Sequence, residues 1–177
     1  MTIETQRTRL RRFGLSDVEN MRELESDPEV MKFTPSRVPQ SLEQTKSRLQ
    51  SLVEKEATYA PFGVWAVELK DTSDFVGWFM LIHTQFNFPE LGFMLVRRHW
   101  GKGLATEVAS ALIDFGYRKL NLPGIAATTN PENSASIRVL EKLGFGITKT
   151  ISTYDRIFER DIELCIFELL NKTSSKG

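Results

Sequence analysis

The sequence predicts an α+β (mixed α/β) domain: a central twisted mixed sheet of about seven strands with helices on both faces. Three observations predict it. Two early segments carry apolar residues at helical spacing behind capping signals. A run of Val-, Phe- and Trp-rich segments broken by turn residues then reads as antiparallel strands. After it, one long helical period lies between two strand-like segments, and a strand–helix–strand passage of that kind joins parallel neighbours by a right-handed crossover.

Taken in order, Thr8–Phe13 alternates as a first strand. Ser16 followed three residues later by Glu19 has the capping-box pattern, and a helix with Val18, Met21 and Leu24 on one face should stop before Asp27-Pro28. The loop Phe33–Gln40 carries Pro35 and Pro39. Ser41 and Gln44 form a second capping box, opening a helix to about Lys55 with Leu42, Leu49 and Leu52 inward. Tyr59–Leu69 and Phe75–His83 are strand-like and flank Asp71-Thr72-Ser73-Asp74, which predicts a hairpin. Glu90–Val96 is the next strand. Gly103–Leu120 is the longest helix, with Leu104, Val108, Leu112 and Phe115 at three- and four-residue steps. Ile125–Thr129 is a short strand. Asn133–Leu143 is a helix capped by Asn133 and closed by Gly144. Gly146–Tyr154 and Asp161–Leu169 close the sheet. Residues 1–172 are thus expected to form one domain, with Thr173–Gly177 a disordered tail.

Composition narrows the function classes. A chain of 177 residues with 41% apolar and 26% charged residues is of ordinary globular type. Lys plus Arg and Asp plus Glu each number 23, leaving no net charge to recruit nucleic acid or an acidic membrane. Arg7, Arg9, Arg11 and Arg12 are flanked by Glu4, Asp17 and Glu19, the pattern of a solvated strand face. The single cysteine, Cys165, lies in an apolar alternation and reads as a buried thiol in a reducing, cytoplasmic protein. With His83 and His99 it offers no metal-ligand spacing. No secretion signal and no bilayer-spanning run is present. Self-association through a sheet edge is compatible with the pattern.

The chemistry concentrates at residues 90–107, where a strand runs through Arg98-His99-Trp100-Gly101-Lys102-Gly103 into the long helix. A helix's first turn has unpaired N–H groups and a partial positive charge, which suit phosphate. Gly101 and Gly103 let the backbone approach closely, and Arg97, Arg98 and Lys102 add cations. A diphosphate fits such a loop. A Rossmann fingerprint would need Gly at Thr106, and a Walker loop would need Ser or Thr at Gly103.

Gly92-Phe93-Met94-Leu95 with Trp100-Gly101-Lys102-Gly103-Leu104-Ala105-Thr106-Glu107 resembles the acetyl-CoA motif of the GNAT N-acetyltransferase superfamily. Asn133-Ser134-Ala135-Ser136 and Val139-Leu140-Glu141-Lys142-Leu143-Gly144-Phe145 resemble its next motif. With Thr5-x-Arg7-x-x-Leu10-Arg11 and Ser16-Asp17, the chain is most similar to the branch that acetylates ribosomal-protein N-termini. Arg97 stands where that branch usually has proline. The resemblance implies a GNAT fold and acetyl-CoA as co-substrate. It implies cofactor contacts at Leu95, Val96, Arg98, His99, Trp100, Gly101, Lys102, Gly103, Leu104 and Ala105, with Asn133 and Ser136 near the sulfur. It also implies that the strand 125–129 splays from its parallel neighbour to admit the thioester.

Amine attack on a thioester needs a proton acceptor, an oxyanion donor and a way to discharge the thiolate. A backbone N–H of Met94 or Leu95 is the expected donor. Glu90, heading the central strand among Phe86, Phe88 and Trp78, is the expected base, with Asp155 second. The tyrosine that many superfamily members use as acid is replaced by Leu140, which leaves Ser136 as proton donor or water-orienter. Phe33–Gln40, the second helix and Gln85–Pro89 should shape the acceptor site, which lacks a carboxylate cluster. A protein or peptide N-terminal amine suits it; a polyamine or antibiotic amine, or an acyl-CoA sensor without turnover, is the alternative.

Overall fold

The computed structural model describes residues 3–155 and 159–172; the expected tail at 173–177 lies outside the described residues. Its strands are β1 (Ile3–Glu4), β2 (Thr8–Arg11), β3 (Gly63–Leu69), β4 (Phe75–Ile82), β5 (Glu90–Leu95), β6 (Gly124–Thr129), β7 (Gly146–Asp155) and β8 (Arg160–Leu170). Its helices are α1 (Val18–Ser26), α2 (Pro28–Met31), α3 (Leu42–Tyr59), α4 (Leu104–Lys119) and α5 (Ser134–Lys142). One open sheet of eight strands runs β1-β2-β3-β4-β5-β6-β8-β7. All neighbours are antiparallel except β5 and β6, the pair joined through α4. The mixed α/β architecture is as expected, and the strand beyond seven is the two-residue β1, too short to leave a periodic signal.

Two apolar layers sandwich the sheet. Leu104, Val108 and Leu112 of α4 and Leu140 of α5 pack with Leu91, Leu95, Ile125 and Ala127 on one face. Met21, Leu24 and Leu49 of α1 and α3 pack with Ala66, Trp78 and Met94 on the other. Residues of β5 therefore divide by parity: Leu91, Phe93 and Leu95 toward α4, and Glu90, Gly92 and Met94 toward α1 and α3. Gly77 is required where β4 passes β5, because a Cβ there would overlap the Met94 carbonyl, and its φ is 149°.

Three boundaries differ from the sequence reading. Ser16 does not cap α1; a 3-10 turn at Leu15–Asp17 precedes the helix, and the Asp17 carboxylate accepts from the Gly14 amide instead (2.9 Å). Arg11 decides this, since it grips Asp17 through two hydrogen bonds of 2.7 and 2.6 Å. The Ser41–Gln44 box forms as expected, but α3 continues to Tyr59, so β3 begins at Gly63 and not at Tyr59. Asp27, expected only as a stop, starts the extra turn α2 by accepting from the Glu29 amide (2.9 Å).

Asp17 is 2% exposed, and burial alone would raise its carboxyl. Hydrogen bonds from Arg11, Gly14 and Asn20 outweigh burial and hold it below its ordinary value of 3.8. Its contribution to stability is therefore full above that value and lost as pH falls below it. Asp17→Ala should destabilise the fold by about 2 kcal/mol at pH 7, measured by urea unfolding. The gap to the parent should narrow below about pH 4; an equal gap at pH 3 would contradict the assignment.

Candidate active site

The site begins with a missing hydrogen-bond ladder. β5 and β6 share one register pair, Glu90 with Ala126, beside a bond from the Ala126 amide to the Pro89 carbonyl (2.9 Å). Toward their C-terminal ends the two strands part. The expected splay is therefore present. The Val96 amide donates to the Val76 carbonyl (3.0 Å), so alternation turns the N–H groups of Met94 and Gly92 toward β4. Phe93 and Leu95 aim theirs into the slot. Of the two expected oxyanion donors, Leu95 faces the gap and Met94 does not; Phe93, which the sequence reading passed over, joins it.

Two helices start at the open end of the slot, the usual ligand position in sheets with parallel strands. At α4 the chain turns through Gly101 and Gly103 at φ of 71° and 76°, a left-handed geometry that favours glycine. No Cβ at Gly101 would meet anything within 4 Å, so this stretch of backbone is open. The amides of Leu104, Ala105 and Thr106 have no acceptor inside the helix. At α5, by contrast, Asn133 Oδ1 caps the Ser136 amide (3.2 Å), and the Ser134 amide donates to the Glu132 carbonyl (3.0 Å). The Ser136 hydroxyl makes no hydrogen bond among the described residues. Thus α4 presents an anion cradle and α5 a capped end with one spare hydroxyl.

The loop residues divide into those that face out and those that hold the loop in place. Lys102 is exposed. Trp100 is 45% exposed, and its indole donates to the Leu95 carbonyl (2.8 Å), tying the loop to the end of β5. Arg98 donates to the Phe75 carbonyl (3.2 Å) and pairs with Glu23, while Arg97 pairs with Asp27 (3.0 Å). These pairs bind the loop to α1. His99 is 4% exposed, its amide donates to the Val96 carbonyl (3.0 Å), and neither ring nitrogen has a partner. It is the floor of the loop.

The loop's outer support comes from the start of the chain. Glu107, in the first turn of α4, accepts from the Thr5 hydroxyl (2.6 Å), the Arg7 amide (2.9 Å) and Arg7 Nε (2.7 Å). Arg7 also donates to the Lys102 carbonyl (3.0 Å). Burial would raise the Glu107 carboxyl, but Thr5 and Arg7 hold it below its ordinary value, so it stays charged. Arg7 neutralises a carboxylate that would otherwise repel an anion at the helix N-terminus.

Glu90 sits where the strands part, on the α1–α3 face, and is 8% exposed. One carboxylate oxygen accepts from the Thr128 hydroxyl across the slot (2.7 Å). Of the expected neighbours, Phe88 lies against Gly124 at the start of β6. Trp78 is opposite Met94, four residues or about 13 Å along the strand from Glu90, and does not enclose it. The segment Phe33–Gln40 folds against β8, where Arg160 donates to the Ser36 carbonyl (2.5 Å). A cleft there is lined by Phe33, Thr34, Pro35, Arg37, Asn130, Ile162, Glu163 and Leu164. The β7–β8 register puts Asp155 on the same face as Ile162, beside this cleft.

Residues 7–146 match the model of the acetyltransferase (GNAT) domain. The chain belongs to this family. It is 31% identical over 173 residues to the uncharacterised N-acetyltransferase p20 of Bacillus licheniformis, covering 97% of each. A GNAT-family acetyltransferase from Bacillus anthracis superposes with a TM-score of 0.82 at 27% identity, over 96% of this chain and 98% of that one. Mycobacterium smegmatis RimJ, solved with CoA-disulfide, shares the fold at 18% identity with a TM-score of 0.77, over 96% and 85% of the two chains. The protein is an N-acetyltransferase, hence an acyltransferase. Among the described residues no helix is long and apolar enough to cross a membrane, and no group of three His, Cys, Asp or Glu is placed to hold a metal.

Burial, aided by Arg98 and Lys102, lowers the His99 titration below its ordinary 6.5. The ring is then neutral when folded, and folding stability falls as pH drops below that value. His99→Phe should leave the melting temperature at pH 7.5 unchanged or higher, because it removes two buried polar atoms without partners. Between pH 6.5 and 5 the variant should lose less stability than the parent. A steeper acid loss in the variant would refute this reading.

Proposed function

We propose that this GNAT protein moves an acetyl group from acetyl-CoA to a primary amine, the N-terminal amine of a protein or peptide, by direct attack within a ternary complex. The observation that carries the reading is the parting of β5 and β6 at Glu90, with an anion cradle at the open end and a carboxylate at the closed end. The loop fits a CoA diphosphate: the amides of Gly101, Lys102, Gly103, Leu104 and Ala105 receive it, Lys102 adds charge, Arg98 and His99 set the loop's position, and Trp100 walls it. Leu95 and Val96 guide the pantetheine arm into the slot, and Asn133 and Ser136 stand near its sulfur end.

Glu90, directly or through water, takes one proton from the entering ammonium and passes it to solvent. The amine lone pair forms the C–N bond while the Leu95 amide supports the developing oxyanion. The C–S bond breaks, and the second nitrogen proton reaches the departing thiolate, with the Ser136 hydroxyl placed to relay it. Asp155 is the alternative base at the cleft mouth. Among the described residues that line the cleft are the acid Glu163 and the base Arg37, the others being aromatic or neutral; a peptide backbone needs no carboxylate cluster. The buried free thiol of Cys165 accords with reaction in the cytoplasm. One observation favours a polyamine acceptor instead: 30% identity over 82 residues to the spermidine N(1)-acetyltransferase of Escherichia coli, covering 45% of this chain.

Mass spectrometry of a peptide panel and spermidine, each incubated with protein and acetyl-CoA, decides between these. Acetylation of peptide α-amines is expected; exclusive modification of spermidine would overturn the peptide reading. Glu90→Gln should lower kcat by about 10²-fold or more with little change in the KM for acetyl-CoA. Ser136→Ala should lower kcat less. Arg7→Ala, which frees the Glu107 charge and the Lys102 carbonyl, should raise the Kd for CoA about tenfold by calorimetry, roughly 1.4 kcal/mol. Unchanged affinity would remove Arg7 from the cradle's support.

A further inference from the structure

We infer that Thr128 is a positioning residue of the reaction, which holds the Glu90 carboxylate by one oxygen so that the other is presented to the acceptor amine. The inference rests on the reading of Glu90 as the base. Nothing in the motifs singles out Thr128, which lies in the short strand between them.

Register places the two side chains together. Ile125 and Ala127 of β6 belong to the α4 layer, so Ala126 and Thr128 point to the opposite face, the one Glu90 shares. Glu90 is bridged to Ala126, and Thr128 lies two residues farther along β6, past the last pairing of the two backbones. Its hydroxyl reaches back to Glu90 Oε1 at 2.7 Å, a bond between side chains across the closed end of the slot. Glu90 is 8% exposed, and this is the hydrogen bond that the described residues give its side chain. A buried carboxylate with one donor on one oxygen has a defined orientation and a second oxygen still able to accept a proton. A threonine does this with little loss of freedom, since its χ1 is restricted by branching at Cβ.

A purely structural role, closing the gap between β5 and β6, would predict something else. Loosening that tie would widen the slot and weaken CoA binding. Acting through Glu90 lowers turnover alone and only while Glu90 is a carboxylate.

The test is a double-mutant cycle read by steady-state kinetics and CoA calorimetry on the full chain. Thr128→Val, which keeps the shape and removes the hydroxyl, should reduce kcat about tenfold or more with CoA affinity within twofold of the parent. Thr128→Ser should restore most of kcat. In a Glu90→Gln background Thr128→Val should cost no further activity. If Thr128→Val lowers kcat equally in both backgrounds, or weakens CoA binding with kcat intact, Thr128 does not act through Glu90 and the inference is wrong. If Glu90→Gln turns over like the parent, the base assignment fails, a result distinguishable from failure of the Thr128 role alone. Should Thr128→Val not fold, as judged by circular dichroism, Thr128→Ala is read on the same criteria.

Discussion

The architecture depends on where two parallel strands cease to pair. β5 and β6 are joined at Glu90 and Ala126, and beyond that pair each presents backbone groups to the gap. Unpaired N–H and C=O groups in a sheet interior are costly unless something satisfies them. The Trp100 indole takes the Leu95 carbonyl, and the amides of Phe93 and Leu95 face the slot. The gap persists because α4 and α5, packed on one face, and α1 and α3, on the other, hold the two halves of the sheet in place.

Around this gap the charges are arranged with one purpose at each end. At the open end the helix N-terminus of α4 is kept attractive to anions: the Glu107 carboxylate is neutralised by Arg7, and the loop's arginines are fastened to α1 by Glu23 and Asp27. At the closed end a buried carboxylate has a single neutral donor. That asymmetry suits the proposed division of labour, since phosphate recognition needs a rigid array of donors and a base needs an accessible oxygen.

Fastening the loop to α1 also links the start of α4 to the helical layer on the other face of the sheet. α1 is in turn held to α3 through buried Glu25, which accepts from Thr45 (2.8 Å) and pairs with Arg48 (3.0 Å); Arg48 lies over the Trp78 ring. Phe33–Gln40 continues from this helical layer and meets β8 at Ser36 and Arg160. The cleft between Phe33–Gln40 and β8 is therefore formed by segments far apart in the chain that converge over one face of the sheet.

The layers and the loop were legible in the amino-acid order alone. Helical spacing in 104–115, the capping signals at Ser41 and Asn133, and two glycines beside a helix start are local features, and local features are written in consecutive residues. That order could not decide Ser16 against Asp17 as the turn's anchor, because that depends on how the chain folds back after β2 to bring Asp17 against Arg11. Nor could it place Trp78 away from Glu90, turn the Leu95 amide and not the Met94 amide toward the gap, bury the His99 ring, or bring Thr5 and Arg7 to Glu107 and Thr128 to Glu90. Those outcomes rest on strand register and on contacts spanning some 40 to 100 residues. Register is set by which faces the whole chain can bury, and only the assembled tertiary structure fixes that.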